Sequence, residues 1–566
     1  MNTMQTSIIH PSQSIAFKAQ KLWIFRQYML SFFLLATLTL SAQVENPSLE
    51  TSQVEVVRTF EAILDDAQIL PIRPTIPPIN IIKRQYSYDI TIVPLPIKYP
   101  DPILRPLAMK PDSPFPNYPF YAKVGFGNLS NPVAQIRYAL NHGDEWNLKT
   151  HLDYQALDNS DNQAFQKYSS IKAGAEVQYR MSEKYQVLGG VDFSRDNRFF
   201  YFTPRELRPE QNEDSLRRNI TTIGAHIGIS NIEPNPQKID YRVVLSNHLT
   251  RSTNLTATEN QLSLDAIFAK RNSEKINIEF PIQAALVSYS NIDQNPSQSL
   301  GLFRFNPRIN FQSGNFQLNL GAALLLTSDQ TFAFPTAQIS IGMFGNQAQV
   351  FAGADQNYVI NGLRHSLQVS PWMDNQIDSV QASVSHRVFG GIRGEFSFIS
   401  YQAKAGYMST KNQPLYIHQN EFGFVNQFYE DLSTVFINGN LDFAFSDVLT
   451  LGGATTINYY TLNQADEPWG LPAFELKSYA NFTLWSGKLK INNSLHFSDR
   501  VSTINNDGEV IRLNNQIDLT TGFELWPSKN IAIFGNANNI LNNKYVRWYG
   551  HPVVGIHFQG GIVLKF

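Results

Sequence analysis

Apolar and polar side chains alternate at the carboxyl end of the chain. In segment 556–566, apolar or small residues occupy every second position, and the positions between them are mostly polar. Side chains of an extended chain point alternately to opposite faces, so this period of two predicts a β-strand with one apolar face. That predicted face consists of Ile556, Phe558, Gly560, Ile562, Leu564 and Phe566.

The same alternation recurs along most of the chain. Clear examples are Phe316–Leu326, Val435–Phe445, Phe474–Trp485 and Gly487–Ser498. Roughly 20 to 23 such segments of about 10 to 14 residues follow one another, separated by turns rich in Gly, Asn, Asp and Ser. Helical periods are scarce, and no linker divides the array. The pattern predicts an all-β fold: one closed antiparallel transmembrane barrel of about 22 strands, within about 18–26, over residues 119–566.

Composition supports a barrel in a membrane. Aromatic residues make up 12% of the chain and charged residues only 16%, whereas charged residues are about 25% of an ordinary soluble domain. We expect aromatic rings near turns to form girdles at the membrane–water interfaces. The candidates for this girdle are Phe199, Phe200, Tyr201, Tyr459, Tyr460, Trp485, Trp526, Trp548 and Tyr549.

Charge and cysteine content exclude several functions. A formal net charge of -2 provides no basic surface for nucleic acid. The absence of cysteine removes disulfides, thiol catalysis and cysteine-ligated metals. No catalytic, nucleotide-binding or metal-binding motif is present, so the sequence predicts no enzyme, no cofactor and no metal site.

Two groups of residues are weak candidates for a functional site. Asp158 and Asp161 lie in a polar stretch that either holds a calcium ion or forms a solvated turn, and the turn is the better interpretation. Ser383, Ser385 and His386 are the residue types of a hydrolase site, but strand alternation places the histidine on the opposite face from both serines.

The amino-terminal region has the pattern of a secretory signal. Lys18, Lys21 and Arg26 precede the apolar run Met29–Leu40, and cleavage after Ala42 would follow small residues. The apolar run is shorter than the ~20 residues that a membrane-spanning helix needs. We therefore expect residues 1–42 to be a signal peptide, with an uncleaved anchor as the alternative.

Residues 43–118 form a proline-rich extension. Thirteen of the chain's 30 prolines fall between Pro71 and Pro119. Proline fixes φ and lacks an N–H donor, so this segment is expected to be extended or polyproline-like and to act as a tether, a strap or a filler of the lumen.

The ending of the chain resembles that of the TonB-dependent outer-membrane receptors. In this family a strand runs into an N-x-L-N-x-K-Y turn, a Y-G-x-P loop and a last strand that ends in Phe. The matching residues are Asn539, Leu541, Asn542, Lys544, Tyr545, Tyr549, Gly550, Pro552 and Phe566. The resemblance implies that the last strand closes the barrel and that the barrel-assembly machinery recognises it during biogenesis.

A looser resemblance, over Phe389–Ile417 and Asn463–Lys477, is to receptor-like barrels of the Bacteroidetes type. The chain departs from the family in one respect: receptors carry a globular plug of more than a hundred residues, and residues 43–118 are too few and too proline-rich for it. The hydrophobic box that recruits TonB has only a faint counterpart in Val54–Val57.

The sequence thus leaves two functions open. The first is solute uptake or passage through a receptor-like barrel in the bacterial outer membrane. The second is a structural or assembly role, in which a plug-less barrel belongs to an outer-membrane complex. The expected partners are outer-membrane lipid and TonB or another periplasmic or outer-membrane protein that contacts residues 54–118.

Overall fold

The computed structural model describes residues 118–143, 145–202, 213–232, 239–253, 256–271, 273–291, 294–344, 347–374, 377, 379–418 and 424–566. The predicted signal peptide, the proline-rich extension before Tyr118 and the segment Val54–Val57 lie outside these residues.

The described chain is almost entirely β-structure. Its strands, numbered in chain order, are β1 Phe120–Gly127, β2 Val133–His142, β3 Trp146–Asp158, β4 Lys167–Arg180, β5 Tyr185–Phe199, β6 Arg217–Asn231, β7 Ile239–Ser252, β8 Ala257–Arg271, β9 Ile276–Asn291, β10 Gln294–Phe305, β11 Arg308–Ser313, β12 Phe316–Thr327, β13 Thr331–Met343, β14 Ala348–Asn361, β15 Gln381–Phe396, β16 Ile399–His418, β17 Val425–Ala444, β18 Leu449–Leu462, β19 Phe474–Leu484, β20 Leu489–Ser498, β21 Ser502–Ile504, β22 Val510–Arg512, β23 Gln516–Leu525, β24 Ile531–Asn538, β25 Val546–Trp548, β26 His551–Pro552 and β27 His557–Lys565.

All of these strands except β21, β22, β25 and β26 form one closed antiparallel barrel of 22 strands. β10 and β11 both pair with β9 and β12, so they are two halves of one wall strand, interrupted at Asn306 and Pro307. β27 pairs with β24 on one side and with β1 on the other, with Val124 opposite Ile562. Closure leaves no free edge, as a membrane barrel requires. The predicted fold class and strand number are therefore confirmed.

The two ends of the barrel differ in the length of their connections. The end that holds Phe120 and Phe566 has tight turns, such as Gly314–Asn315 between β11 and β12. The opposite end carries the long connections after β5, β14, β18, β20 and β24. Outer-membrane barrels have short periplasmic turns and long extracellular loops, which identifies the turn end as periplasmic and the loop end as extracellular.

The outer face of the wall is apolar. In β12, Leu320, Leu324 and Leu326 are exposed, while the alternate residues Gln317 and Asn319 line cavities on the inner face. The same holds at the closing strand, where Phe558 and Ile562 are each 52% exposed. A surface this large and apolar would not stay monomeric in water, and it matches the lipid-facing band of an outer-membrane barrel.

Little of the described structure lies outside the wall. Two small hairpins, β21–β22 and β25–β26, stand in the loops at the extracellular end. The helices are α1 Glu213–Leu216, which leads into β6, and α2 Leu363–Val369, which follows β14. Among the described residues, no helix is long and apolar enough to cross a bilayer.

Candidate functional site

Loops from distant parts of the ring meet at the extracellular end. Residues 199–202 follow β5, whereas residues 362–374 follow β14, the thirteenth strand of the wall and eight positions from β5. Residues 424–425 precede β17, and residues 545–552 lie between β24 and β27. We call these four segments the cap. Because they contact one another from separate sectors of the ring, the cap extends across part of the barrel mouth.

Arg218 is the central polar anchor of the cap. Its side chain is completely buried at the start of β6, and Nη1 donates hydrogen bonds to the carbonyl oxygens of Pro371, at 3.1 Å, and Met373. The guanidinium lies over the ring of Phe200 at 4.8 Å and over that of Phe424 at 5.6 Å. A planar cation that stacks on rings and bonds to carbonyls suits this position, and here it joins three loops.

Aromatic rings make the contacts between the remaining cap segments. The Trp372 ring lies 4.3 Å from the His551 ring and 5.7 Å from the Tyr201 ring, and Trp372 Nε1 donates to the carbonyl oxygen of Phe199. The Tyr201 hydroxyl donates to the carbonyl oxygen of Pro552 at 3.0 Å. These contacts link the loop after β5 to the segment after β14 and to the loop between β24 and β27, through stacked rings and through side chains that donate to backbone carbonyl oxygens.

Helix α2 packs the segment after β14 against the inner wall. Its Leu363 is fully buried and its Leu367 nearly so, in a cluster that includes Val287 of β9 and Leu325 of β12. At the helix start, both carboxylate oxygens of Glu259 accept backbone N–H groups of Leu363 and Arg364. A carboxylate here satisfies amides that a helix leaves unpaired.

Gly362 allows this capping contact. A Cβ at this position would lie 2.1 Å from a carboxylate oxygen of Glu259, so any larger residue would displace the carboxylate. The helix itself has no side-chain cap from its own segment. The position of α2 therefore depends on β8 of the wall rather than on local sequence.

The first residues of the terminal motif support the last cap segment, residues 545–552, by side-chain hydrogen bonds to the backbone. Asn539 and Asn542 adopt positive φ, and the Asn539 side chain bonds to the backbone of Asn543 and Val554. The Asn542 side chain accepts the N–H of Ile556. Asparagine tolerates this backbone conformation and supplies such local hydrogen bonds.

Further motif residues lie before or within this segment. Gly550, also at positive φ, lies against the ring of Phe202, and the carbonyl oxygen of Pro552 accepts hydrogen bonds from Gln166 and Tyr201. Lys544 approaches Gly555, Leu541 is exposed, and Tyr545 is half-buried.

Burial favours the neutral form of three cap side chains, those of His551, Tyr201 and His365. It lowers the pKa of His551 to about 3, so this imidazole is uncharged at neutral pH. Burial also raises the pKa of Tyr201 well above its ordinary value and lowers that of His365. The cap therefore excludes water from these rings, which is the condition under which a titratable group resists charging.

Several predicted girdle residues belong to the cap and not to the lipid interface. Trp548 is buried and its ring lies 5.7 Å from that of Tyr416, while Tyr549 lies 4.8 Å from the His418 ring. Residues 199–202 likewise fold inward, and three of their four aromatic side chains, those of Phe199, Phe200 and Tyr201, are buried. The expectation of a lipid-facing position is corrected for these residues because tertiary contacts, not proximity to a turn, fix their rings.

Trp526 also departs from the girdle expectation. It packs with Phe534 and Val563, which alternate with the exposed Ile533 and Ile562 and thus lie on the inner face. Trp485 is different, because it stands 67% exposed at the turn between β19 and β20. Its role in a girdle stays a prediction.

The inner wall below the cap is polar. A cavity of about 670 Å³ at the periplasmic ends of β11–β17 is lined mainly by amide and charged side chains, among them Gln317, Gln402 and Asn440. The charged groups of the wall are partly paired with each other, as in the bidentate bridge from Arg387 to Asp355 at 2.7 and 2.8 Å. Such a surface supports water and polar solutes rather than lipid.

The two weak candidates of the sequence analysis, at Asp158 and at Ser385 and His386, form no catalytic or metal site within the described residues. Asp158 accepts the backbone N–H of Ser160, as in a local turn. Ser385 bonds to Thr410, while His386 lies against Gln356 and the Phe334 ring. In the part of the chain that the structure describes, no group of three or more potential metal ligands comes together.

Arg218 and the cap residues Trp372 and His551 were absent from the sequence predictions. One signal was available, since alternation stops in residues 362–380, where Leu363 and Leu367 have helical spacing and Trp372 and Met373 follow. Such a break inside a regular array of strands indicates a loop with its own packed structure.

Comparison with known proteins supports the fold. No protein-family model matches the sequence, and no curated protein matches it. Among solved structures, a variant of the ferric enterobactin receptor PfeA from Pseudomonas aeruginosa has a TM-score of 0.59 at 10% identity, over 79% of this chain and 80% of that chain. The FrpB iron transporter from Neisseria meningitidis has a TM-score of 0.62 at 9% identity, over 80% and 82%.

The siderophore receptor PirA from Acinetobacter baumannii gives a similar result, with a TM-score of 0.60 at 9% identity over 79% and 80% of the two chains. At such low identity the similarity concerns the barrel architecture and not a shared ligand.

Proposed function

We propose that this protein carries a solute across the bacterial outer membrane through a receptor-type barrel whose extracellular mouth is gated by the cap. The observation that carries the proposal is a polar inner wall beneath a cap held by a small number of side chains, with Arg218 at its centre. The packed cover is the feature that favours gated passage over a purely structural role, because large outer-membrane barrels have polar interiors in general.

The fold comparison supports the class of function but not the substrate. The similar structures are described as receptors for ferric enterobactin or siderophores and as an iron transporter. The proposal stops at solute passage, because the identity to this chain is 9–10%. We further propose that residues 54–118 contact TonB or another periplasmic protein, and that no globular plug precedes the barrel.

Conductance in planar bilayers tests the proposal, with potassium chloride as the probe. Four proteins are compared: the full mature chain, the Arg218→Met variant, a variant lacking residues 54–117, and the combined variant. We expect the Arg218→Met variant to conduct more than the full chain, because loss of the guanidinium releases the cap over the barrel mouth. The two deletion variants show whether residues 54–117 also affect conductance, and we expect the combined variant to conduct steadily.

The same experiment also tests the alternative function, a structural or assembly role in an outer-membrane complex. A combined variant that is folded but silent, and a wild-type barrel that co-purifies in fixed ratio with other outer-membrane proteins, would contradict solute passage. That result would favour a structural component of an outer-membrane complex.

A further inference from the structure

A row of polar side chains crosses five neighbouring strands of the wall, β5 to β9. Directly opposite residues of paired strands project from the same face of a sheet. Successive register pairs therefore place five side chains next to one another on one face, those of Arg195, Thr221, Arg251, Thr258 and Ser290. We call these five residues the outer row.

The outer row lies on the lipid side of the wall. Two positions towards the periplasm, β5, β6 and β7 carry the exposed apolar side chains of Phe193, Ile223 and Leu249. A spacing of two residues keeps a side chain on the same face of a strand. The position between Leu249 and the next lipid-facing residue below it is His248, which lines a cavity inside the barrel. The outer row thus continues the apolar outer face and not the lumen wall.

The outer row also marks the extracellular border of the apolar band. Two positions further towards the extracellular end, β5 and β6 carry Asn197 and Asn219, which are register partners. Tyr154 of β3, which is exposed, continues the row beyond Ile171 of β4. Polar side chains above the row, apolar ones below it and a tyrosine within it are typical of the headgroup region of a membrane.

The two arginines of the outer row have no counter-ion in the protein. Neither Arg195 nor Arg251 makes a hydrogen bond or an ion pair with another residue that the structure describes, and both are exposed. A cation at the edge of a lipid-facing surface is unfavourable unless an anion compensates it. The compensating anion therefore has to come from outside the chain.

Other cations near this end of the barrel are matched by an acid. Lys411 on β16, ten wall positions from β5, lies 2.6 Å from Asp431, which shares a face with the exposed Val435. Lys167, above the outer row on β4, is the register partner of Asp158. The unmatched positive charge is thus a property of this sector of the outer surface and not of the whole rim.

The spacing of the two arginines suits phosphate groups. Two strand spacings of ~4.8 Å put their Cα atoms about 10 Å apart, with the Thr221 hydroxyl between them. A guanidinium presents a planar fork of N–H donors that matches phosphate oxygens, and a hydroxyl adds one more donor. Two long side chains at this spacing can hold one phosphate jointly or two phosphates separately.

We propose that the outer row binds the phosphate groups of a phosphorylated glycolipid in the outer leaflet. Arg195 and Arg251 are the anion-binding residues, and Thr221 is a hydroxyl donor between them. The acyl chains of the same lipid lie on the apolar surface directly below, formed by Phe193 and Ile223. The site is on the outside of the wall, so it does not depend on solute passage through the lumen.

Native mass spectrometry of the full mature chain in detergent tests this site, with lipid A that carries two phosphates as the probe. Arg195→Gln, Arg251→Gln and the combined variant are compared with the wild type. One basic side chain near an anionic lipid surface contributes about fivefold in affinity, so we expect a loss of about fivefold for each variant and about 25-fold for both. Lipid A without its phosphates should bind the wild type and the combined variant equally.

A charge-matched control is Lys149→Gln combined with Lys172→Gln, which removes the same net charge from the lumen face. Tyr154 and Val177, on the same two strands, are exposed on the opposite face. This control should change the affinity for lipid A by less than about twofold. Far-UV circular dichroism verifies that each variant keeps its β-structure.

Three results would overturn the proposal. The first is a combined variant that binds diphosphorylated lipid A as tightly as the wild type does. The second is a loss in the lumen-face control as large as that in the combined variant. The third is inorganic phosphate that binds as tightly as the lipid, because the outer row would then be an anion site without preference for a lipid headgroup.

Discussion

The two ends of this barrel place aromatic side chains in different environments. At the extracellular end, aromatic side chains turn inward and are buried: Trp548 and Tyr201 are each 7% exposed. At the periplasmic end Trp485 and Phe344 stand outward, at 67% and 80% exposure, whereas Trp526 packs on the inner face. Both of these exposed residues occupy positive φ in tight turns, a conformation that bulky residues rarely adopt. The same residue types therefore build a packed cap where loops are long and an exposed rim where turns are short.

The difference shows that the long connections can bury their aromatic rings against other loops, which the tight turns at Trp485 and Phe344 cannot do. A turn of two to four residues cannot fold back, so its rings stay at the surface, where interfacial lipid is the natural contact. A connection such as 362–380 is long enough to form α2 and reach residues 155 positions away in sequence, as Met373 does with Arg218. Substitutions at one end of the barrel should therefore leave the other end unchanged.

Among these changes, we expect Arg218→Met to cause the largest loss of cap stability. Loss of the guanidinium leaves the carbonyl oxygens of Pro371 and Met373 buried without donors, which costs about 3 kcal/mol in cap stability. Hydrogen exchange of the amides in 363–374 should therefore accelerate about a hundredfold. Arg217→Met is the matched control, because Arg217 makes only an exposed ion pair with Asp214 and should change exchange by less than about fivefold. Equal effects of both variants would contradict a buried anchor.

Acidification should cause the second-largest loss of cap stability. The pKa of His551 is about 3 in the folded cap, against about 6.5 in an open loop. Between these values the open loop binds a proton that the folded cap does not, so cap stability falls as pH falls from 6.5 towards 3. The slope is at most about 1.4 kcal/mol per pH unit.

His551→Phe isolates this effect. Phenylalanine keeps a ring against Trp372 but loses the hydrogen bond between Nδ1 and the carbonyl oxygen of Tyr549. Hydrogen exchange of residues 545–552, corrected for intrinsic rates at pH 7.5 and 5.5, should show a smaller acid-induced loss of protection in the variant. An unchanged pH slope would assign the sensitivity to another group.

Glu259→Gln should have a moderate effect. The amide can present only one oxygen to the amides at the start of α2, so one charge-assisted contact is lost, at a cost of about 1–2 kcal/mol. Exchange of the α2 amides should accelerate by about tenfold. Glu274→Gln, in the exposed turn before β9 at the periplasmic end, is the control and should leave α2 unchanged. If α2 responds to neither variant, packing of Leu363 and Leu367 alone holds the helix.

The smallest effect on the fold is expected from Trp485→Ala. The ring is exposed in a turn, so the free energy of unfolding should change by less than about 0.5 kcal/mol. Depth-dependent quenching of Trp485 fluorescence by brominated lipids, with the other tryptophans replaced by Phe, checks whether this ring is interfacial. A ring inaccessible to the lipid quencher would exclude it from the girdle.

Much of the wall was predictable from local sequence. Segments such as Phe316–Leu326 and Gly487–Ser498 became β12 and β20, and the apolar stripe of the last segment became the outer face of β27. In the terminal motif, Asn539 and Asn542 bond through their side chains to backbone groups. Recognition of this strand by the assembly machinery stays a prediction.

The cap was not predictable in the same way. A tryptophan beside a turn has the same local sequence whether its ring meets lipid, as is proposed for Trp485, or a buried tyrosine, as Trp548 does. The contact from Tyr201 to Pro552 joins residues 351 positions apart. No local pattern contains information about such a partner.

The sequence by itself determined the barrel, because a period of two with one apolar face is a property of neighbouring residues and dictates a strand between lipid and a wet interior. The tertiary structure alone decided where the loops fold. Closure of the ring brings connections from separate sectors within reach of one another, and only then do Arg218, Trp372 and His551 have partners to bury against.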